Sequence, residues 1–235
     1  MLAICDENEN GKVAAAQLLV EHTKRLTYAS LQNAVPLLRK IELQAGEAGL
    51  PAGRLRLDVH PPFAQSREWP FDRILPGGSV VPAELETKQD SAFFDNLNEA
   101  ELGQLRLVAE FDDDHPSISF EAPVELLARD EWGGIHEMGQ LLAAFVQPND
   151  ARVAAVLRAA SDAMTRQGLP SGLDGYQSRD PSRAWAIAAA IWSSIEGMDL
   201  RYAVPPASFE KRGQKVRMPS RLAKEGLGTC LDTSL

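Results

Sequence analysis

Cysteine is scarce. The 235 residues hold only Cys5 and Cys230, too few and too far apart for the disulfide framework of a small secreted domain. A reducing cytoplasm is therefore the expected compartment. No apolar run approaches the roughly 20 residues needed to cross a bilayer, so no membrane partner is expected. The opening MLAICDENENGK is acidic and too short in apolar length for a signal peptide. A phosphate loop is missing: Gly11-Lys12 is followed by Val13 and lacks the upstream glycine that would let backbone N–H groups cradle phosphates. The dinucleotide-binding glycine fingerprint is missing as well. The four histidines, His22, His60, His115 and His136, are scattered, and neither cysteine has a nearby partner, which leaves no zinc-ligand spacing. No cofactor is expected for this chain. Positive charge is also in deficit. Lys and Arg number 24 against 33 Asp and Glu, a net charge of -9. Such a surface is repelled by phosphate backbones, so nucleic-acid binding by this segment alone is disfavoured. The most basic stretch, Lys211 to Lys224, reads as a solvated loop.

What remains is ordinary globular material, 44% apolar and 24% charged, long enough for one large or two small domains. The first half alternates with period two. Leu55, Leu57 and Val59 share one face of a strand whose other face carries Arg54, Arg56 and Asp58. Leu105, Leu107, Ala109 and Phe111 repeat the pattern, as do Ile118, Phe120, Ala122, Val124 and Leu126, with a weaker case at Leu37 to Ala45. Turn signals separate them at Ala45-Gly46, Pro61-Pro62, Pro76-Gly77-Gly78 and Asp112-Asp113-Asp114. These features predict an N-terminal antiparallel β-sandwich, immunoglobulin-like, over residues 14–128, preceded by a tail at 1–13.

The second half, residues 129–235, turns to a helical period. Asn149 is read as the cap of a helix with the stripe Val153, Val156, Leu157, Ala160 and Met164, stopping at Gly168. Asp180 caps the next, with Pro181 in its first turn and the stripe Trp185, Ala188, Ala189, Trp192 and Ile195 turned to the core. A shorter helix runs from about Met138 to Val146. Gly133-Gly134 at the boundary reads as a turn or a hinge. The fold class is α+β.

The most suggestive chemistry lies at Gly226 to Leu235. Thr229 can cap a helix that puts Cys230 in its first turn, where free N–H groups and the helix dipole favour a thiolate over a thiol. From spacing alone, Cys230 reads either as a nucleophile or as an inert cysteine at a helix start. In the papain-like order a histidine base follows the cysteine, and only five residues follow Cys230, none of them histidine. Leu231 and Leu235 open an apolar helix face that runs no further, so the chain reads as cut within a core helix.

Several stretches in order carry a family likeness: ASLQNAVP from Ala29, WPFDRILP from Trp69, VELLARDEWGG from Val124, LLAAFVQPND from Leu141, GYQSR from Gly175, YAVPPASFEKRGQKVR from Tyr202 and GTCLD from Gly228. In this the chain resembles the N-terminal region of large bacterial superfamily-one helicase-like proteins. The resemblance implies a sandwich followed by the mainly helical start of a transglutaminase- or papain-like domain. It implies Cys230 as the nucleophile position and Gln214 as a supporting residue, with the presumed histidine lying beyond this chain. ATP and Mg belong to the helicase region of the parent family, also beyond it. The expected partners are the remainder of a larger polypeptide and a protein bound by the sandwich, with DNA reached only through other regions. Three functions compete: an accessory or regulatory segment of a helicase-like protein, with no ATPase, helicase or nuclease motif of its own; part of a cysteine hydrolase or acyl-transferase; or a non-catalytic binding module. The chain by itself is expected to be inactive.

Overall fold

The computed structural model describes residues 3–4, 15–175 and 177–235. It divides into two compact units, Met1–Arg129 and Asp130–Leu235. The chain is α+β.

The first unit contains β1 (Ala3–Ile4), β2 (Gln17–His22), β3 (Arg25–Leu26), α1 (Tyr28–Gln32), β4 (Leu38–Gln44), β5 (Gly53–His60), β6 (Arg67–Phe71), β7 (Ser79–Val80), α2 (Ser91–Asn96), β8 (Glu101–Phe111) and β9 (Ile118–Leu126). Two sheets form, in the orders β1-β2-β4-β7 and β3-β9-β8-β5-β6. Alternation explains the long strands. Leu55 and Leu57 of β5, Leu105, Leu107 and Ala109 of β8, and all five apolar positions of β9 join one core with Leu18, Ile41 and Leu43 from the other sheet. The opposite face of β5 and β8 is laced by cross-strand ion pairs, Arg54–Glu110 at 2.8 Å and Arg56–Glu110 at 3.2 Å. Exposed pairs of this kind contribute little to stability, but they keep that face polar and fix which face turns inward.

Three details depart from expectation. The β3–β9 pairing is parallel, so the larger sheet is not wholly antiparallel. Ala3 and Ile4, within the stretch read as a tail, pair with Leu18 and Gln17 of β2. Strand β6 was not among the expected strands; it carries Pro70 and lies at the sheet edge, where proline is tolerated. Its flank is covered by the segment 84–88. Arg67 Nη1 donates to the Glu86 carbonyl, Trp69 Nε1 to the Glu84 carbonyl at 2.7 Å, and Gln65 N to the Lys88 carbonyl at 2.8 Å.

The second unit contains β10 (Glu131–Trp132), α3 (Ile135–Met138), a 3₁₀ helix (Gly139–Phe145), α4 (Ala151–Arg166), α5 (Pro181–Glu196), β11 (Arg201–Tyr202), α6 (Phe209–Arg212), β12 (Gln214–Lys215), α7 (Pro219–Glu225), β13 (Leu227–Gly228) and α8 (Cys230–Ser234). It is less purely helical than expected: β10 pairs antiparallel with β12, and β11 parallel with β13. Gly134 and Gly213 make the first pairing possible. Both have positive φ, and a Cβ on Gly134 would overlap the Lys211 carbonyl, one on Gly213 the Trp132 carbonyl. Gly134 therefore serves a close backbone approach.

The cap of α4 is Asp150, one residue beyond the expected Asn149; its carboxylate accepts from Arg152 N at 2.7 Å. Of the expected α4 stripe, Ala160 and Met164 are buried while Leu157 is exposed. Asp180 caps α5, accepting from Ser182 N at 2.9 Å, with Pro181 in the first turn. The expected α5 stripe is a correction. The face packed against Ala160 and Met164 is Ile187 and Ala190, with Ile191 beside them, whereas Trp185 is 77% and Trp192 70% exposed. Helix α5 is apolar nearly all round, so two stripes satisfy the same spacing. The buried cluster between the two helices joins Ala160 and Met164 of α4 to Ile187 and Ala190 of α5.

Candidate functional site

The turn into α8 brings together residues from three separate stretches. Gly228 ends β13, Thr229 is the cap, and Cys230 begins a helix of five residues. Thr229 and Asp232 form a reciprocal capping box. The Thr229 hydroxyl accepts from Asp232 N at 3.2 Å, and the Asp232 carboxylate accepts from Thr229 N at 2.8 Å. Beneath it lies Gln214, only 3% exposed, whose Nε2 donates to the Thr229 hydroxyl at 3.0 Å. The Gln214 Oε1 is buried without a hydrogen-bond partner. Thr229 is thus an acceptor twice over at one oxygen.

Asp232 carries more than the dipole role expected for it. Its side chain is fully buried, and besides Thr229 N it accepts from Arg217 N at 2.8 Å and from Arg217 Nη1 at 3.3 Å. A carboxylate without solvent contact needs this complete set of donors. The anion position at the start of α8 is therefore already held by Asp232. Cys230 is a free, exposed cysteine, and its carbonyl accepts from the hydroxyls of Thr233 and Ser234 at 3.0 and 2.7 Å. Among the described residues, no hydrogen bond joins a histidine to Cys230. His22 and His115 instead lie against the rings of Phe120 and Phe111, and His136 is exposed on α3. Cys5 lies outside the described residues.

The basic stretch from Lys211 to Lys224 is not a loop. It forms α6, β12 and the first turns of α7. Two of its three arginines are engaged, Arg217 with Asp232, and Arg221 with Glu225 at 2.7 Å and Asp130 at 3.1 Å. The Arg221 guanidinium, through its hydrogen bond and charge, holds the Glu225 carboxyl below the usual carboxylate range. Among the described residues, no group of three or more His, Cys, Asp or Glu side chains is placed to hold a metal ion. Among the described residues, no helix is long and apolar enough to cross a membrane.

Of the two residues singled out from sequence, Gln214 and Cys230 come within one residue of contact, through Thr229. Sequence reasoning missed Arg217. Arg217 stands 15 residues before its partner Asp232, and no local pattern in the sequence links the two.

A groove of about 220 Å³ lies alongside α8, lined chiefly by Val153, Val156 and Leu157 of α4, Ile191 and Ile195 of α5, and Leu222 of α7. Compared with family models, curated proteins and solved structures, the chain matches none.

Proposed function

We propose that this chain is an accessory or regulatory segment of a larger bacterial helicase-like protein, in which it serves recognition and leaves ATP hydrolysis, unwinding and cleavage to other regions. In this reading the two-sheet unit is an immunoglobulin-like sandwich, and the second unit is the opening of a transglutaminase-like domain. One observation supports it most. The stretches on which the resemblance rests meet in a single scaffold: Trp132 of DEWGG pairs with Gln214 of the KRGQKVR stretch, and Gln214 and Arg217 bond Thr229 and Asp232 of GTCLD. Strand pairing joins residues 82 positions apart, and polar contacts then link Gln214 and Arg217 to partners 15 positions on.

The test is a pair of measurements on the purified chain, ATP turnover and fluorescence anisotropy with single- and double-stranded oligonucleotides at physiological salt. Neither turnover nor saturable binding is expected. Saturable DNA binding at micromolar protein would sink the reading. Sequencing the gene past the Leu235 codon tests parentage, with a helicase core expected in the same frame.

A second reading is favoured by the exposure of Cys230 above the Gln214–Thr229 pair: a papain-like nucleophile position whose histidine base comes from elsewhere in the parent. It predicts that Cys230 in a longer chain alkylates faster than Cys5 at neutral pH. Equal, slow labelling of the two would remove it.

A further inference from the structure

Strand β11 has an open edge. It forms a two-stranded parallel sheet with β13, and among the described residues no strand lies on its other side. Arg201 N donates to the Gly226 carbonyl at 2.9 Å, and Ala203 N to the Gly228 carbonyl at 2.7 Å. Backbone groups alternate sides along a strand, so the N–H and carbonyl of Tyr202 and the N–H of Val204 point away from β13. Among the described residues, no hydrogen bond reaches these outward groups. Pro205 and Pro206 follow and end the row of donors.

Two other edges show how this chain guards its strands. The β6 edge lies under the segment 84–88. On β9, Glu125 N donates to the Lys24 carbonyl, so the residues facing the same way farther along include Pro123, which has no N–H, and Glu121, which is charged and exposed. Strand β11 has neither guard. Its outward residues are Tyr202 and Val204, 62% and 84% exposed. They stand two apart, so their side chains share one face of the strand.

We propose that β11 takes up an extended segment of another polypeptide as an added strand, a docking site independent of any chemistry at Cys230. The outward N–H and carbonyl groups match the acceptors and donors that an extended backbone presents. The strip of Tyr202 and Val204 matches a segment with apolar side chains at every second position. The segment is free of acidic residues, because the chain carries a net charge of -9 and repels a further anion. The same repulsion disfavours a second copy of this chain as the added strand. Two donors, one acceptor and a short apolar strip give weak binding, with a dissociation constant on the order of 0.1–1 mM. Such docking holds whether or not the chain belongs to a helicase-like parent.

The experiment is a titration of the full, nitrogen-15-labelled chain, read by its amide chemical shifts. The probe is an acetylated and amidated heptapeptide in which valine alternates with threonine between terminal lysines. Saturable shifts centred on the Tyr202 and Val204 amides are expected. The same peptide N-methylated at every residue between the lysines is expected to bind about tenfold more weakly, because it has no donor for the Tyr202 carbonyl. Val204→Pro removes one outward donor that the fold does not use, and is expected to weaken binding about fivefold with the far-ultraviolet circular dichroism unchanged. No saturable shift up to about 5 mM peptide overturns the proposal. So do shifts centred on another part of the chain, or equal binding of the N-methylated peptide, which tests the backbone without altering the protein. Tyr202 and Val204 shifts that grow with protein concentration alone would make a second copy the occupant, and overturn it as well.

Discussion

Removing the Asp232 carboxylate tests the scaffold under Cys230 directly. The carboxylate takes three donors, Thr229 N and Arg217 N at 2.8 Å and Arg217 Nη1 at 3.3 Å, with no solvent contact of its own. Asp232→Ala leaves two buried N–H groups without partners and takes the nearest charge from Arg217. Breaking a buried pair costs about 3–5 kcal/mol, and each hydrogen bond to a charged group contributes about 1.5–3 kcal/mol. These overlap rather than add. Arg217 is 25% exposed and keeps Glu225 at 3.5 Å, so screening discounts the charge contribution. The expected loss is about 3 kcal/mol, and about 2 kcal/mol for Asp232→Asn, which keeps one acceptor oxygen. Urea unfolding followed by tryptophan fluorescence reads this well, because Trp132, Trp185 and Trp192 all belong to the second unit. With a slope of about 2 kcal/mol per molar, the Asp232→Ala midpoint falls by about 1.5 M. Loss of hydrogen-exchange protection at the Arg217 amide accompanies it. An unchanged midpoint with Arg217 still protected would show that the cluster holds nothing in place.

Gln214→Leu is expected to change stability by less than about 1 kcal/mol, because it removes a buried amide whose oxygen has no partner, whereas Thr229→Val, which deletes the cap acceptor, costs about 1 kcal/mol; paired urea curves decide. Gly213→Ala forces a side chain into the Trp132 carbonyl at a φ of 90°, and is expected to separate β10 from β12, seen as a red shift of Trp132 emission in a background lacking Trp185 and Trp192. Asp150 and Asp180 are held below the usual carboxylate range, Asp150 chiefly by the Ser220 hydroxyl and Asp180 by the Ser182 hydroxyl. A depressed folded value means that the stabilisation is full above the ordinary carboxylate range and is lost as pH falls through the depressed value. Ellipticity at 222 nm should therefore decline at acid pH in the wild type, with less decline in Asp150→Asn/Asp180→Asn, where the caps remain but do not titrate.

Where one residue alone decides orientation, the structure was legible in the sequence. Strands β5, β8 and β9 alternate cleanly because one face meets the core and the other meets charge, and Asp180-Pro181 announces α5 through backbone chemistry local to four residues. Strand β2 was hidden because Leu18, Leu19 and Val20 run together, and only Leu18 among them is fully buried. The tryptophans of α5 misled because apolar residues at helical spacing lie on two faces of that helix, and the face packed against α4 is that of Ile187 and Ala190. At the candidate site, Thr229 and Asp232 are three apart and readable as a cap. Gln214 and Arg217 are each 15 residues from their partners, and no periodicity connects them.

The segment laid across β6 matters for the protein's behaviour in a crowded solution. An uncovered strand is a template on which any passing extended chain can continue the sheet. Here the edge is occupied from within, and β6 itself is held by side chains, Arg67 and Trp69, reaching to carbonyls rather than by a continued ladder of amides. The sheet is thus sealed without being extended, and the seal depends on a tryptophan indole and a guanidinium. Loss of either would expose a growing end, and the damage would be registered as polymerisation of folded molecules rather than as unfolding.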